Sequence, residues 1–275
     1  MKVREALASS SERLAAARVE SPRVDAETLV AHVLGVRRSE LALAPARALG
    51  DEELATLEAL VARREAREPL AYVLGEWGFR RLTLQVDRRV LVPRPETEIV
   101  LERCLEHLVG VAEPRVLDVG TGSGAIALAI VDEHAGARVT ALDASPGALE
   151  VARANAERTG LELELCEWDL FDGLPEGPWD LVVSNPPYVR PDEIGSLAPE
   201  VREWEPREAL VGVGATEAIA RGASTVLRPG GALVLEVADG SARDVAELLA
   251  DCGYADLRMT RDLTDRERVV EGVRT

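Results

Sequence analysis

The feature that most constrains the fold is a short loop, Gly120-Thr121-Gly122-Ser123-Gly124, set between an apolar run and a helix-forming run. Ahead of it, Val116-Leu117-Asp118-Val119 reads as a buried strand carrying one acid; after it, Ala125–Glu133 reads as a helix. Alternate glycines let a backbone turn sharply and approach a ligand closely. The helix start beyond presents N–H groups that have no intrahelical partner. Asp143 ends the next apolar run, 23 residues after Gly120, where an acid can take two ribose hydroxyls. Strand, glycine loop, helix and spaced acid together point to nucleotide or nucleoside binding, against the plainer reading of a structural β–α turn.

The same alternation continues down the chain. Strands are predicted at 115–119, 138–143, 161–166, 181–184 and 232–237, with helices at 125–133, 146–159, 216–227 and 242–252. That order means a parallel sheet with helices on both faces. Segments 256–261 and 268–273 are placed to close as a terminal hairpin. Before residue 79 the period is helical. Val3, Leu7, Leu14 and Val19 mark one helix, Ser21-Pro22 starts a second that Gly35 can cap, and Asp51 opens a third that Pro69 stops. Leu82, Leu84 and Val86 alternate with polar residues, so the stretch reads as a strand or hairpin. Three parts follow: a helical domain over 1–78, a β-hairpin linker over 79–92 and an α/β domain over 93–275.

Composition narrows the partners. Thirty-two basic against 49 acidic residues give a formal charge of −17, which counts against a broad grip on nucleic acid. Cys104, Cys166 and Cys252 lie too far apart for zinc spacing or a disulfide framework, so a cytoplasmic protein is expected. The N-terminus lacks a signal-peptide core, and no membrane span, no bound metal and a monomer are expected. His32, His107 and His134 have no partner at ligand spacing, and the charged run Arg63–Glu68 reads as a solvated helix end.

Asp180-Leu181-Val182-Val183-Ser184 delivers Asn185-Pro186-Pro187-Tyr188 at the end of a strand, where open α/β sheets place ligands. These residue types suit an NH2 group whose lone pair is delocalised. Such a nitrogen attacks a methyl group only when it is held in line, and two acceptors can hold its two N–H bonds. The Asn185 side-chain carbonyl and the Pro186 backbone carbonyl supply them, with Tyr188 as a flat face and the prolines as a stiff, mainly accepting frame. The chemistry is orientation rather than strong base. The alternative is a Pro-Pro turn that merely ends a strand.

The glycine loop resembles motif I of the class I S-adenosylmethionine methyltransferases, and Asn185-Pro186-Pro187-Tyr188 resembles motif IV of amino-group methyltransferases, which act on adenine or on glutamine. Other segments narrow this. Glu68-Pro69-Leu70-Ala71-Tyr72-Val73-Leu74-Gly75 with Phe79 and Val92-Pro93-Arg94-Pro95-Glu96-Thr97-Glu98, then Leu197–Arg202 with Glu205-Pro206, and the tail Arg261-Asp262-Leu263, Arg266, Arg268-Val269-Val270 and Gly272 resemble the HemK/PrmC family, the release factor glutamine methyltransferases, over nearly the whole chain. That resemblance implies a class I, Rossmann-like α/β methyltransferase sheet with a small N-terminal helical domain. It implies methyl transfer from S-adenosylmethionine, leaving S-adenosylhomocysteine, to the side-chain nitrogen of the Gly-Gly-Gln glutamine of a peptide chain release factor. The alternatives are glutamine methylation of a ribosomal or other protein, and adenine N6 methylation of nucleic acid.

By position, the resemblance makes Gly120, Thr121, Gly122, Ser123, Gly124, Asp143, Asp169, Leu170 and Asn185 cofactor contacts, Asn185, Pro186 and Tyr188 the catalytic set, and Asn185, Pro186, Pro187 and Tyr188 the glutamine pocket. It gives the helical domain the role of gripping the release factor. Glu96 and Glu98 are candidates to face the site, though a helix start favours acids equally well, and of the four tryptophans, which more often pack than bind, Trp168 is the one to check. The chain departs from the family pattern at Val211–Ala215 and at Ala238-Asp239.

Overall fold

The computed structural model of the chain describes residues 1–43 and 45–275. Two compact units emerge, one of Met1–Glu76 with Ala198–Trp204, the other of Trp77–Leu197 with Glu205–Thr275.

The first unit is helical: α1 (Val3–Ala16), α2 (Pro22–Leu34), a 3₁₀ turn at Arg38–Leu43, α3 (Asp51–Glu65) and α4 (Leu70–Leu74). Pro22 sits in the first turn of α2 and Gly35 closes it in the left-handed conformation, as the sequence signals require. Val3, Leu14, Leu29, Val30, Leu57 and Val61 form the core. The Arg63–Glu68 run is a solvated end only in part. Arg64 and Glu68 are each 6% exposed. Arg64 donates to Asp25 at 2.8 Å and pairs with Glu200 at 2.9 Å, while Arg67 donates to both Glu200 oxygens at 2.7 and 2.6 Å. Arg63 donates to the Tyr72 and Val73 carbonyls at 2.9 and 3.1 Å, satisfying the end of α4. Charge in sequence reads as surface; here Arg64 is buried because Asp25 and Glu200 both pair with it.

The second unit opens with the hairpin β1 (Glu76–Phe79) and β2 (Leu82–Gln85). It continues with α5 (Thr97–Leu108), β3 (Arg115–Val119), α6 (Ala125–Glu133), β4 (Arg138–Asp143), α7 (Pro146–Thr159), β5 (Glu164–Glu167) and β6 (Trp179–Ser184). Then come the short α8 (Pro199–Trp204, grouped with the first unit) and α9 (Arg207–Leu210), and α10 (Ala215–Val226), β7 (Leu227–Glu236), α11 (Ala242–Asp251), β8 (Tyr254–Arg261) and β9 (Glu267–Arg274). One seven-stranded sheet runs β5-β4-β3-β6-β7-β9-β8. Its first five strands are parallel, and the terminal hairpin joins antiparallel through β9.

Strand alternation splits the core in two. Val116, Val139, Ala141, Leu181, Val183 and Val234 pack on the face covered by residues of α5 and α6. Leu117, Val119, Leu142, Val182, Leu233 and Leu235 pack on the other face, with residues of α10 and α11. The strand limits that differ most from expectation are the starts of β5 and β7. Leu161 donates its N–H to Ala156 at 3.2 Å beyond the left-handed Gly160, so it belongs to the helix cap and β5 starts at Glu164. β7 starts at Leu227, because a bulge carries its pairing from Leu227 opposite Trp179 to Ala232 opposite Leu181, over a Pro-Gly-Gly that reads as a turn.

Candidate active site

β3 leads to β4 on one side of the sheet, and β6 leads to β7 on the other. Loops that diverge this way leave a crevice at the carboxyl ends of the strands. The glycine loop follows β3 and Asn185-Pro186-Pro187-Tyr188 follows β6, so the two motifs flank that one crevice. A cavity of about 600 Å³ lies there.

The loop is held from beneath. Gly120 and Thr121 both donate to the Leu142 carbonyl at 2.8 Å. Gly124 takes the left-handed conformation, and a Cβ there would press on Leu128 at 3.3 Å and Ala152 at 3.4 Å, so the third glycine serves close packing as well as the turn. Asp143 accepts from Gly122 N–H and Ser145 N–H, each at 2.9 Å. Burial raises its carboxyl above the ordinary range, and those two backbone donors work against the rise. Beneath the loop, Asp118 is buried and accepts from the Thr121 hydroxyl at 2.7 Å. Desolvation pushes its carboxyl up to about 7, against the pull of the Thr121 hydroxyl. Asn155, fully buried, donates to the Ser123 and Gln85 carbonyls at 2.9 and 3.0 Å and accepts from Gln85 N–H at 2.6 Å, tying the loop to β2.

Across the crevice, Asn185 donates its side-chain nitrogen to the Thr97 hydroxyl oxygen at 3.3 Å. Tyr188 donates to Glu236 at 3.3 Å, and burial raises its phenol above the ordinary range. Pro187 is braced from the far side. A Cβ on Gly212 would fall 2.4 Å from the Pro187 ring and 2.6 Å from its carbonyl oxygen, so only glycine fits there. Val189 N–H donates to the Leu210 carbonyl at 2.9 Å in the same brace. Arg94 puts one guanidinium nitrogen 2.6 Å from each oxygen of the buried Glu205, whose carboxyl burial raises.

The cavity wall brings together Gly120, Thr121, Gly122, Ser123, Asp143, Asp169, Leu170, Asn185 and Pro187. Gly124, Pro186 and Tyr188 are not part of that wall; Gly124 caps α6 behind the loop and Pro186 is buried. Trp168 lies on the wall beside Phe171, its indole donating to Gly173 at 2.8 Å. Of the two acids that flank Thr97, Glu98 accepts from Arg80 N–H at 3.0 Å and serves the hairpin. Phe171 and Glu208, also on the wall, and Glu236 and Asn155 behind it carry no signal of their own in the sequence; Arg94 and Thr97 on the wall fall within the Val92–Glu98 segment and Gly212 within Val211–Ala215, without being singled out there. The residue with a discoverable signal is Thr97, a hydroxyl set between the two acids already in view.

The fold and the site define a class I S-adenosylmethionine methyltransferase. In fold alone, the chain is similar to the Thermus thermophilus 16S rRNA N2 G1207 methyltransferase solved with AdoMet and guanosine, at 18% identity and a TM-score of 0.55 over 73% of this chain and 50% of that one. Residues 5–75 match the PrmC N-terminal domain and residues 97–200 the methyltransferase small domain. Release factor glutamine methyltransferases of Cereibacter sphaeroides and Deinococcus radiodurans are each 43% identical to it, over 98% of both chains in the first case and over 100% of this chain and 99% of the relative in the second. The chain belongs to the release factor glutamine methyltransferase family.

Proposed function

We propose that this chain transfers a methyl group from S-adenosylmethionine to the side-chain amide nitrogen of the glutamine in the Gly-Gly-Gln motif of peptide chain release factors. The observation that carries this reading is the meeting of the glycine loop and Asn185 at one crevice. S-adenosylmethionine fits what the wall offers: a loop whose glycines permit close approach, a carboxylate at the end of β4 for the ribose, and the apolar Leu170 and Phe171 for the base. When bound, it supplies an electrophilic methyl on a sulfonium. Asp143 takes the ribose hydroxyls, and Asp169 and Leu170 hold the adenine end.

The remaining work belongs to the Asn185 motif. The Asn185 Oδ1 and the Pro186 carbonyl accept the two N–H bonds of the glutamine amide, and Pro187 and Tyr188 shape its slot. Held so, the nitrogen lone pair points along the crevice toward the methyl. A carbon–nitrogen bond forms as the carbon–sulfur bond breaks, and the extra proton on nitrogen leaves to water. Enforced geometry supplies the rate, since no side chain needs to remove a proton first.

We assign residues 1–78, helical as far as Leu74, to gripping the release factor, 79–92 to the linker, whose hairpin already starts at Glu76, and 93–275 to catalysis. The reading also places the protein in the cytoplasm, acting as a monomer; among the described residues no helix is long and apolar enough to cross a membrane. The test is direct: purified protein, S-adenosylmethionine and unmethylated release factor, with the modified peptide mapped by mass spectrometry.

A further inference from the structure

The amide of Asn185 can present either its oxygen or its nitrogen to the cavity, and only the oxygen can accept from a glutamine NH2. The structure holds a device that distinguishes the two. The Thr97 hydroxyl donates to Glu236 at 2.6 Å, so its single proton is committed. Its oxygen is then an acceptor only, and it takes the Asn185 nitrogen at 3.3 Å. The same Glu236 accepts from Tyr188 through its other oxygen at 3.3 Å. Thr97 and Glu236 are 5% and 2% exposed, so water does not compete readily for these bonds. Glu236 ends β7 and Thr97 starts α5, both rigid elements of one unit.

We infer that Thr97 and Glu236 are positioning residues, a relay that fixes the Asn185 amide with its oxygen toward the methyl-accepting nitrogen while Glu236 also anchors Tyr188. Neither touches the reacting atoms. Were Thr97 free to donate, the Asn185 oxygen would turn to it and the NH2 would face the substrate NH2, donor against donor. The relay therefore rejects the unproductive flip and selects an acceptor with two N–H bonds over one with none. This rests on the function proposed above.

The experiment compares wild type with Thr97→Val, which keeps the shape and removes the hydroxyl, and with Thr97→Ser, which restores it. Two quantities are read: kcat and KM for release factor methylation, and solvent exchange of the Asn185 side-chain NH2 by NMR, its signals assigned by their loss in Asn185→Ser. Thr97→Val is expected to lower kcat roughly 10- to 100-fold with little change in the KM for S-adenosylmethionine, and to speed exchange of the NH2 pair. Thr97→Ser is expected to recover most of both, which a mere packing role for the Thr97 methyl would not do. Unchanged exchange in Thr97→Val, or a kcat within about twofold of wild type, overturns the relay. A wild type that methylates no release factor counts against the proposed substrate instead, and the exchange comparison, which needs no substrate, still decides the relay.

Discussion

Gly122 donates its backbone N–H to the Asp143 carboxylate at 2.9 Å, so the glycine loop after one strand is fastened to the acid that ends the next. Ser145 N–H holds the other carboxylate oxygen at the same distance. Asp143 sets the loop, and in the proposed function it also takes the ribose. Asp143→Ala removes both and leaves the Gly122 N–H without its partner. The expected result is a roughly 10- to 100-fold weaker affinity for S-adenosylmethionine by calorimetry, corresponding to about 1.5–3 kcal/mol for hydrogen bonds to a charged group. An affinity within about twofold of wild type would remove Asp143 from the cofactor site.

The buried acid beneath the loop makes stability depend on pH. Desolvation raises the Asp118 carboxyl to about 7, well above its value of 3.8 in an open chain. The folded state therefore binds this proton more tightly than the unfolded state. Its contribution is fully present below pH 3.8 and is lost as pH rises through about 7. Asp118→Asn keeps an acceptor for Thr121 and removes the titration. Between pH 5 and pH 8 the wild type should lose a few kcal/mol relative to the variant, by urea unfolding at each pH. Parallel pH profiles for the two proteins would show that Asp118 titrates normally.

On the terminal hairpin the sign is reversed. Arg103 of α5 donates to both oxygens of Glu271 of β9, at 2.7 and 2.6 Å, in a buried pair. Burial alone would raise the Glu271 carboxyl; the Arg103 guanidinium, helped by His107, outweighs it and holds the group at about 2. The stabilisation is present above the open-chain value of 4.5 and fades as pH falls toward 2. Arg103→Met strands the carboxylate and should destabilise by about 3–5 kcal/mol in thermal or urea unfolding at neutral pH, whereas adding Glu271→Leu should recover most of the loss. If the single and double variants are equally unstable, packing rather than the charge pair holds α5 to β9.

Gly212 offers a probe of the pocket from behind. A methyl at this position meets Pro187 at 2.4 Å and must move it. Gly212→Ala should lower kcat for methyl transfer by about tenfold or more while changing the affinity for S-adenosylmethionine far less. An equal loss in both would mean that the glycine supports the cavity as a whole and not the Asn185 motif.

What the sequence disclosed followed the strength of each physical signal. The strand from Arg115 to Val119 and the helix from Pro146 to Thr159 stand at their expected limits, because apolar runs bounded by Gly, Ser-Pro or Asp leave little choice. Leu161 reads as a strand start and belongs to the helix cap, because the two look alike in apolar character. The Arg63–Glu68 run looked solvent-facing because its partners, Asp25 and Glu200, lie 39 and 136 positions from Arg64. The glycine loop and Asn185 motif were legible because each is a continuous string with its own chemistry. Thr97 and Glu236 were not, since the pair is assembled from residues 139 positions apart whose types are ordinary.

In the proposed function a glutamine amide is held at Asn185 for methyl transfer. The most direct test is a methyl-transfer assay with purified protein, S-adenosylmethionine and release factor taken from cells that lack this enzyme, the product mapped by mass spectrometry. A single added methyl on the Gly-Gly-Gln glutamine, lost in Asn185→Ala while S-adenosylmethionine still binds, is the predicted result. Methyl transfer that persists in Asn185→Ala, or transfer to a residue other than that glutamine, would contradict the account.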